Sequence, residues 1–144
     1  MQENIRKFLE KQKIMSLAST NADIPYCFIV LYVFDPLKNY CYFVSKVTSR
    51  HSKEIMVNSR VSGTIIKQET SILKLQGVQL TGTCRLLDGD EALHAESCFQ
   101  KAYPISQWMK EKIWAVELNF VKMTDNTLGF STKLIWERNA DLPA

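Results

Sequence analysis

The sequence predicts a mainly β, α+β fold: an antiparallel barrel, closed or split, with helices at its periphery. Three observations predict it. About seven strand-like runs follow one another in short antiparallel steps. Helical patterning appears only at the start, in one crossover and late in the chain. The longest strand-like run, 73–87, is punctuated by Gly77 and Gly82, as a bent or bulged barrel strand requires.

The elements follow in order. Residues 2–12 carry Ile5, Phe8, Leu9 and Gln12 on one stripe and charges elsewhere, which predicts an amphipathic helix. A short strand over 14–19 and a turn over 21–25 lead into 26–34, a run of large apolar residues without alternation. Such a strand is covered on both faces, and in a small domain the second cover is readily another subunit. Residues 35–39 form a hairpin loop with Pro36 at a turn position, and 40–44 return as the partner strand. A helix over 49–58 precedes a strand over 60–67 and a polar connection over 68–71. After the long strand, Asp88 stands as N-cap with Glu91 three residues on, opening a helix to 102 with Ala92, Ala95, Phe99 and Ala102 inward. Pro104 ends it, and 105–109 adds a short helical turn. The strand 112–123 places Ile113, Ala115, Glu117 and Asn119 on one side and Trp114, Val116, Leu118 and Phe120 on the other. After a turn over 124–127, short strands over 128–130 and 133–137 close the sheet. The expected organisation is one domain over 1–138 and a frayed tail over 139–144.

A chain of 144 residues buries a real core. Its 46% hydrophobic and 23% charged content is ordinary for a globular domain. A net charge of +3 argues for neither nucleic acid nor membrane. No apolar run reaches the roughly 18–20 residues of a membrane span. Charged residues continue through Lys13, unlike a signal peptide, so the expected compartment is the cytoplasm. Cys27, Cys41, Cys84 and Cys98 are widely spaced, and only two histidines are present; no metal site is expected.

The chemistry concentrates between Tyr42 and Ile65. Lys46, Arg50, His51 and Lys53 crowd the start of a helix whose first acidic residue is Glu54. A helix N-terminus already carries roughly +0.5 of an elementary charge, so cations there are repelled. An anion held by free N–H groups, Ser45, Thr48, Ser49 and the basic side chains would resolve the conflict, and a phosphate fits best. A solvated basic turn capped by Thr48 or Ser49 accounts for the same residues.

Other motifs fail or stay ambiguous. Gly77 and Gly82 have P-loop spacing but lack the lysine that follows it, and they sit in a strand. His94 falls on a charged helix face, where solvation explains it. Glu117 reads as a structural carboxylate. The segment Thr124-Asp-Asn-Thr-Leu-Gly-Phe130 is dense in hydrogen-bonding side chains, which plain turn chemistry also explains. Lys133 and Trp136 offer a cation and a flat apolar face, either to stack on a ring system or to close the core.

Val44-Ser45, Ser49-Arg50-His51 and Asn58-Ser59-Arg60-Val61 together resemble the flavin-phosphate segment of the FMN-binding split-barrel family, the pyridoxamine phosphate oxidase-like proteins. Gly77-Val78-Gln79 with Gly82, the TDNTLGF segment and Ile135-Trp136-Glu137-Arg138 resemble a small bacterial branch, the YhbP-like proteins, over about residues 5–138. The resemblance implies an antiparallel Greek-key split β-barrel with FMN at a homodimer interface. It implies that Arg50 and His51 take the phosphate, with Ser45, Lys46 and Ser49 beside them. It implies that the strand carrying Phe28, Ile29 and Val30 runs along the flavin ring. Gln79, Thr124, Asn126, Lys133 and Trp136 complete the implied cofactor-binding set. The chain departs from the oxidase pattern where Cys27 and Tyr32 replace an arginine and a lysine. Gly77 stands at the family glutamine, with Gln79 two residues along. The arginine-rich grip on pyridoxamine phosphate is absent from the sequence. These departures point away from pyridoxamine phosphate oxidation itself.

Three function classes follow. The first is a dimeric FMN-dependent oxidoreductase acting on a small molecule, with no catalytic residue assigned. The second is a non-catalytic flavin or haem binder or store on the same scaffold. The third, a single-strand nucleic-acid barrel stacking bases on Tyr26, Tyr32, Tyr40 and Tyr42, is disfavoured because no basic residues interleave those aromatics.

Overall fold

Helix α1 (Glu3–Lys11) leads into strands β1 (Ile14–Asn21), β2 (Ile24–Leu31), β3 (Val33–Asp35) and β4 (Tyr40–Ser45). Then come α2 (Arg50–Val57), β5 (Arg60–Ile66), β6 (Gln76–Leu86), α3 (Gly89–Ala102), β7 (Lys112–Asp125) and β8 (Lys133–Glu137). This computed structural model describes residues 1–105 and 110–139. The helical turn expected over 105–109, but for its first residue, and the tail over 140–144 lie outside the described residues.

The strands form one antiparallel sheet in the order β2-β1-β5-β6-β7-β4-β3, with β8 beside the second half of β7. The sheet curls until Phe28 of β2 meets Phe43 of β4, ring centroids 6.4 Å apart, though the two strands are not paired. That open seam makes the barrel a split one. The main core fills the curl with Leu17, Phe43, Ile65, Leu80, Trp114 and Val121, and the apolar face of α1 closes one end with Ile5, Phe8 and Leu9. A second cluster, including Tyr42, Ala95, Phe99 and Ile113, lies under α3.

Several sequence expectations change. The run 26–34 is two strands, not one. Tyr32 breaks it, because its N–H donates to Lys13 O at 2.9 Å and its hydroxyl to Leu9 O at 2.7 Å. The chain thereby crosses from the β1 side of the sheet to the β4 side. Nor is β2 covered on both faces: Cys27, Ile29 and Leu31 point outward and are exposed. β2 is an edge strand, which is why Pro25 is tolerated within it. Its hairpin with β1 turns on Ala22 and Asp23, both at positive φ, the tight turn that matches strand twist.

Second, β7 does not alternate throughout. Thr81 pairs with Phe120 but Gly82 with Leu118, so Asn119 is an extra, bulged residue. Leu118 and Val121 both face the core, and Phe120 swings to the outer face instead of following Trp114 and Val116 inward. Third, the strand start expected at 73 is a 3-10 turn over Ile72–Lys74, and 128–130 is not strand. Asp88 holds the N-cap position of α3 without a side-chain cap hydrogen bond, and Glu91 pairs with Arg85 rather than reaching back to it. Ala102 is exposed, leaving Ala95 and Phe99 as the buried residues of α3.

Candidate flavin site

The basic turn and β2 are brought together by two ring contacts. Arg50 lays its guanidinium 4.0 Å from the Tyr26 ring centroid, and His51 stacks on Phe28 at 4.0 Å with planes 6° apart. Tyr26 and Phe28 are alternate inward residues of β2, so the first turn of α2 is docked against the inner face of this edge strand. The strand expected to line a flavin ring and the helix start expected to hold its phosphate are therefore neighbours.

The donors at that helix start are arranged as follows. Ser49 is the N-cap, with no side-chain cap hydrogen bond, and no acidic residue occupies the first turn. Lys46 and Lys53 are exposed. Ser45 Oγ lies 2.7 Å from His51 Nε2. Burial lowers the His51 pKa, and the nearby Glu54 charge opposes that only in part. Burial thus disfavours the protonated ring. Ser52, fully buried, donates to Lys46 O at 2.7 Å and ties the turn to the helix.

Arg50 also has a partner: its Nε donates to Glu54 Oε1 at 3.0 Å, one helical turn on. Glu54 is buried and accepts from Ser19 Oγ as well, and these hydrogen bonds hold its carboxyl below the usual range. Arg50 remains 56% exposed by side chain, so the pair orients the guanidinium without enclosing it.

The other expected residues spread over the outer face and one end of the barrel. Ile29 is outward and 76% exposed; Val30 is inward and packs on the core. Gln79 lines a shallow concavity of about 410 Å³ with Ser16, Cys27, Ser62, Thr64 and Phe120. Thr124 lines an adjoining one of about 300 Å³, again with Gln79. Gly63 is needed beneath this face, since a Cβ there would lie 2.6 Å from Ser16 O. Lys133 is exposed and donates to Ser131 Oγ at 3.3 Å. Trp136 is half-buried against the core, with the Arg138 guanidinium 5.6 Å from its ring.

The TDNTLGF segment works as a loop lock. Asp125 Oδ1 accepts from Thr127 N, and its Oδ2 from Gln76 Nε2. Asn126 Nδ2 donates to Ile72 O at 2.6 Å while its Oδ1 accepts from Ser131 N at 2.9 Å. The amide of Asn126 is thus engaged at both ends within the loop. Arg138, absent from the expected site, bonds Leu118 O, Lys38 O and Asn39 O, closing the gap between β4 and β8 at the bulge. Glu117 pairs with it at 3.6 Å, as a structural carboxylate should.

His94 is not merely solvated, as its helix face suggested. Its Nε2 lies 2.9 Å from Asp35 Oδ2 and 3.6 Å from Cys98 Sγ. Of the four thiols, Cys41 and Cys84 are buried, and burial pushes Cys84 up to about 12; Cys27 is exposed.

A family model described as pyridoxamine 5'-phosphate oxidase matches residues 1–132. A UPF0306 protein of Serratia proteamaculans is 39% identical over 137 residues, covering 95% of each chain. The UPF0306 protein YhbP of Escherichia coli O7:K1 is 31% identical over 136 residues, covering 94% of this chain and 92% of that one. Among solved structures, a heme binding protein from Mycobacterium smegmatis superposes with a TM-score of 0.77 at 18% identity, over 94% of this chain and 57% of that one. An FAD-binding protein from Mesorhizobium loti does so at 0.71 and 14% identity, over 85% of this chain and 94% of that one. At these identities the structures speak for the split-barrel fold alone. The sequence matches establish that the chain belongs to the pyridoxamine 5'-phosphate oxidase family, in its YhbP-like branch.

Proposed function

We propose that this member of the pyridoxamine 5'-phosphate oxidase family binds FMN in a homodimer and serves as an oxidoreductase for a small molecule. One observation carries the reading: the Tyr26–Arg50 and Phe28–His51 contacts fix an acid-free helix start beside an unpaired strand edge. The helix start offers Ser49, Lys46 and an oriented Arg50 to a phosphate. The free edge of β2 offers backbone donors and acceptors to a flat heterocycle. When bound, FMN supplies the electron-transfer chemistry itself. The chain's task is to grip the phosphate, position the ring and exclude water from it. In this reading His51 is a neutral hydrogen-bonding support for Ser45, and Asn126 shapes its loop without touching the flavin. Cys27, Ile29 and Leu31 form an outward apolar row on β2, and a second subunit covers it.

The haem alternative suits this chain less well, because haem iron needs an axial side chain. His51, the histidine beside the proposed site, is stacked on Phe28 and held 2.7 Å from Ser45 Oγ.

Titration of the purified protein with FMN and with riboflavin, followed by flavin fluorescence, tests the reading. FMN should bind at one equivalent per chain and more tightly than riboflavin, and the loaded protein should consume NAD(P)H or reduce an acceptor. Failure to bind any flavin sinks the proposal; equal affinity for riboflavin withdraws the phosphate site.

A further inference from the structure

We infer that Asp35, His94 and Cys98 form a binding site for a divalent transition-metal ion of the zinc type. The three ligand atoms lie within 4.8 Å of one another, although Asp35 and His94 are 59 residues apart in sequence. His94 and Cys98 are spaced i, i+4 on α3 and so share one face of the helix. Their Nε2 and Sγ atoms are 3.6 Å apart. In a tetrahedral zinc site, with Zn–N near 2.0–2.1 Å and Zn–S near 2.3 Å, those two ligand atoms stand about 3.5 Å from each other. The pair thus already has the spacing of one edge of a coordination tetrahedron. Asp35 Oδ2 lies 2.9 Å from His94 Nε2 and within 4.8 Å of Cys98 Sγ, so a side-chain adjustment on the scale of an ångström would bring it to the third corner of a face.

The carboxylate is built in. Asp35 is 4% exposed, its Oδ1 accepts from Leu37 N at 3.0 Å, and its Oδ2 accepts from Tyr42 Oη at 2.9 Å. Such hydrogen bonds orient a metal-binding carboxylate. One oxygen, one imidazole nitrogen and one thiolate make a borderline-soft set. It favours zinc, cobalt or nickel over calcium or magnesium, which take oxygen ligands throughout. His94 is 45% exposed by side chain, so a fourth position faces solvent. A His–Asp ion pair alone would account for the 2.9 Å contact, but it gives no role to a thiol at tetrahedral spacing. The site uses β3 and α3, neither of which the flavin reading employs, and it stands or falls separately.

Cobalt(II) is the probe, added to untagged, reduced, metal-free protein. One equivalent should produce a thiolate-to-cobalt charge-transfer band in the near ultraviolet. Cys98→Ser should abolish the band, and His94→Ala should weaken cobalt binding at least tenfold. Cys27→Ser, which removes the exposed thiol, should leave both unchanged. Zinc(II) should raise the melting temperature of the wild type but not of Cys98→Ser. Absence of the band at one equivalent, its survival in Cys98→Ser, its loss in Cys27→Ser, or unchanged affinity in His94→Ala would each overturn the assignment. The two ligand variants lie on the exposed side of α3, and a retained far-ultraviolet dichroism spectrum confirms that each is folded.

Discussion

His51 lies flat on Phe28, ring centroids 4.0 Å apart, while its Nε2 sits 2.7 Å from Ser45 Oγ. One imidazole therefore joins α2 to β2 by its face and to the end of β4 by its edge. That triple attachment holds the open seam between β2 and β4 at the point where the proposed phosphate site begins. The arrangement suits a neutral ring: protonation would put a charge on a half-buried group between an aromatic face and a hydroxyl.

A pH dependence follows. Burial lowers the folded-state pKa of His51, so between that value and the unfolded value near 6.5 the unfolded chain binds more protons. Stability is then fully present above the unfolded pKa and falls as pH drops through it toward the folded one. The groups facing the ring include Glu54, which opposes the shift, and the neighbouring Arg50, which shares the Glu54 charge. The urea midpoint at pH 5.5 should lie below that at pH 7.5. The difference should shrink in His51→Gln, which keeps a polar end for Ser45 but cannot titrate. An equal difference in the variant would show that other groups carry the dependence.

Arg50 and Glu54 should act in opposite directions on FMN. A charge-assisted arginine–phosphate bond contributes roughly 1.5–3 kcal/mol, and about 1.4 kcal/mol is tenfold in affinity. Arg50→Ala should weaken FMN by about tenfold or more and leave riboflavin unchanged. Glu54→Gln removes the competing carboxylate while keeping an acceptor for Ser19, so FMN should tighten severalfold. Isothermal titration of both ligands to both variants separates these outcomes. If Arg50→Ala weakens riboflavin equally, the arginine supports the fold at Tyr26 and does not meet the phosphate.

Much of this architecture was legible in the sequence, because turn residues and apolar stripes report local geometry. The helix over 2–12, the strand over 40–44 and the basic helix start all fall within a residue or two of the observed bounds. The break at Tyr32 was hidden, since a uniformly apolar run gives no sign of where it changes sheet partner. The Asn119 bulge was hidden too: alternation through Trp114-Ala-Val-Glu-Leu118 looks continuous until pairing with β6 shows the extra residue. The Arg50–Glu54 pair was readable from its i, i+4 spacing but was overshadowed by the excess of cations around it. The contact of His94 with Asp35 depends on tertiary folding and left no local trace. What a flavin would need, an oriented cation and a free strand edge, is partly local and partly topological, and only the first half shows in the sequence.

Gly82 should be irreplaceable on steric grounds. A Cβ at this position would lie 2.5 Å from Glu117 O and 2.8 Å from Val116 Cγ1, both beside the bulge on β7. The backbone oxygen cannot yield without breaking the register. Gly82→Ala should cost about 1–3 kcal/mol, as overpacking of a dense core does. Gly77→Ala, whose nearest contact would be 3.5 Å from Ile65 O, should cost far less. Chemical denaturation of the two variants gives the comparison; equal midpoints would mean that β7 relaxes around the added methyl group.

The apolar row on β2 separates dimerisation from folding. Leu31 is 51% exposed and Phe34 is 6% exposed, although both belong to the same apolar run of sequence. Leu31→Asp places a charge where a lone subunit meets water, so the chain should fold. In the proposed dimer the same charge would be buried without a partner, which strongly disfavours association. Light scattering at micromolar concentration should therefore report a dimer for the wild type and a folded monomer for Leu31→Asp. FMN affinity should fall with it if the partner helps to cover the ring. Phe34→Asp instead puts the charge in the core of each subunit and should give unfolded or insoluble protein. A monomeric wild type, or a dimer that tolerates Leu31→Asp, would mean that the outward face of β2 is not the interface.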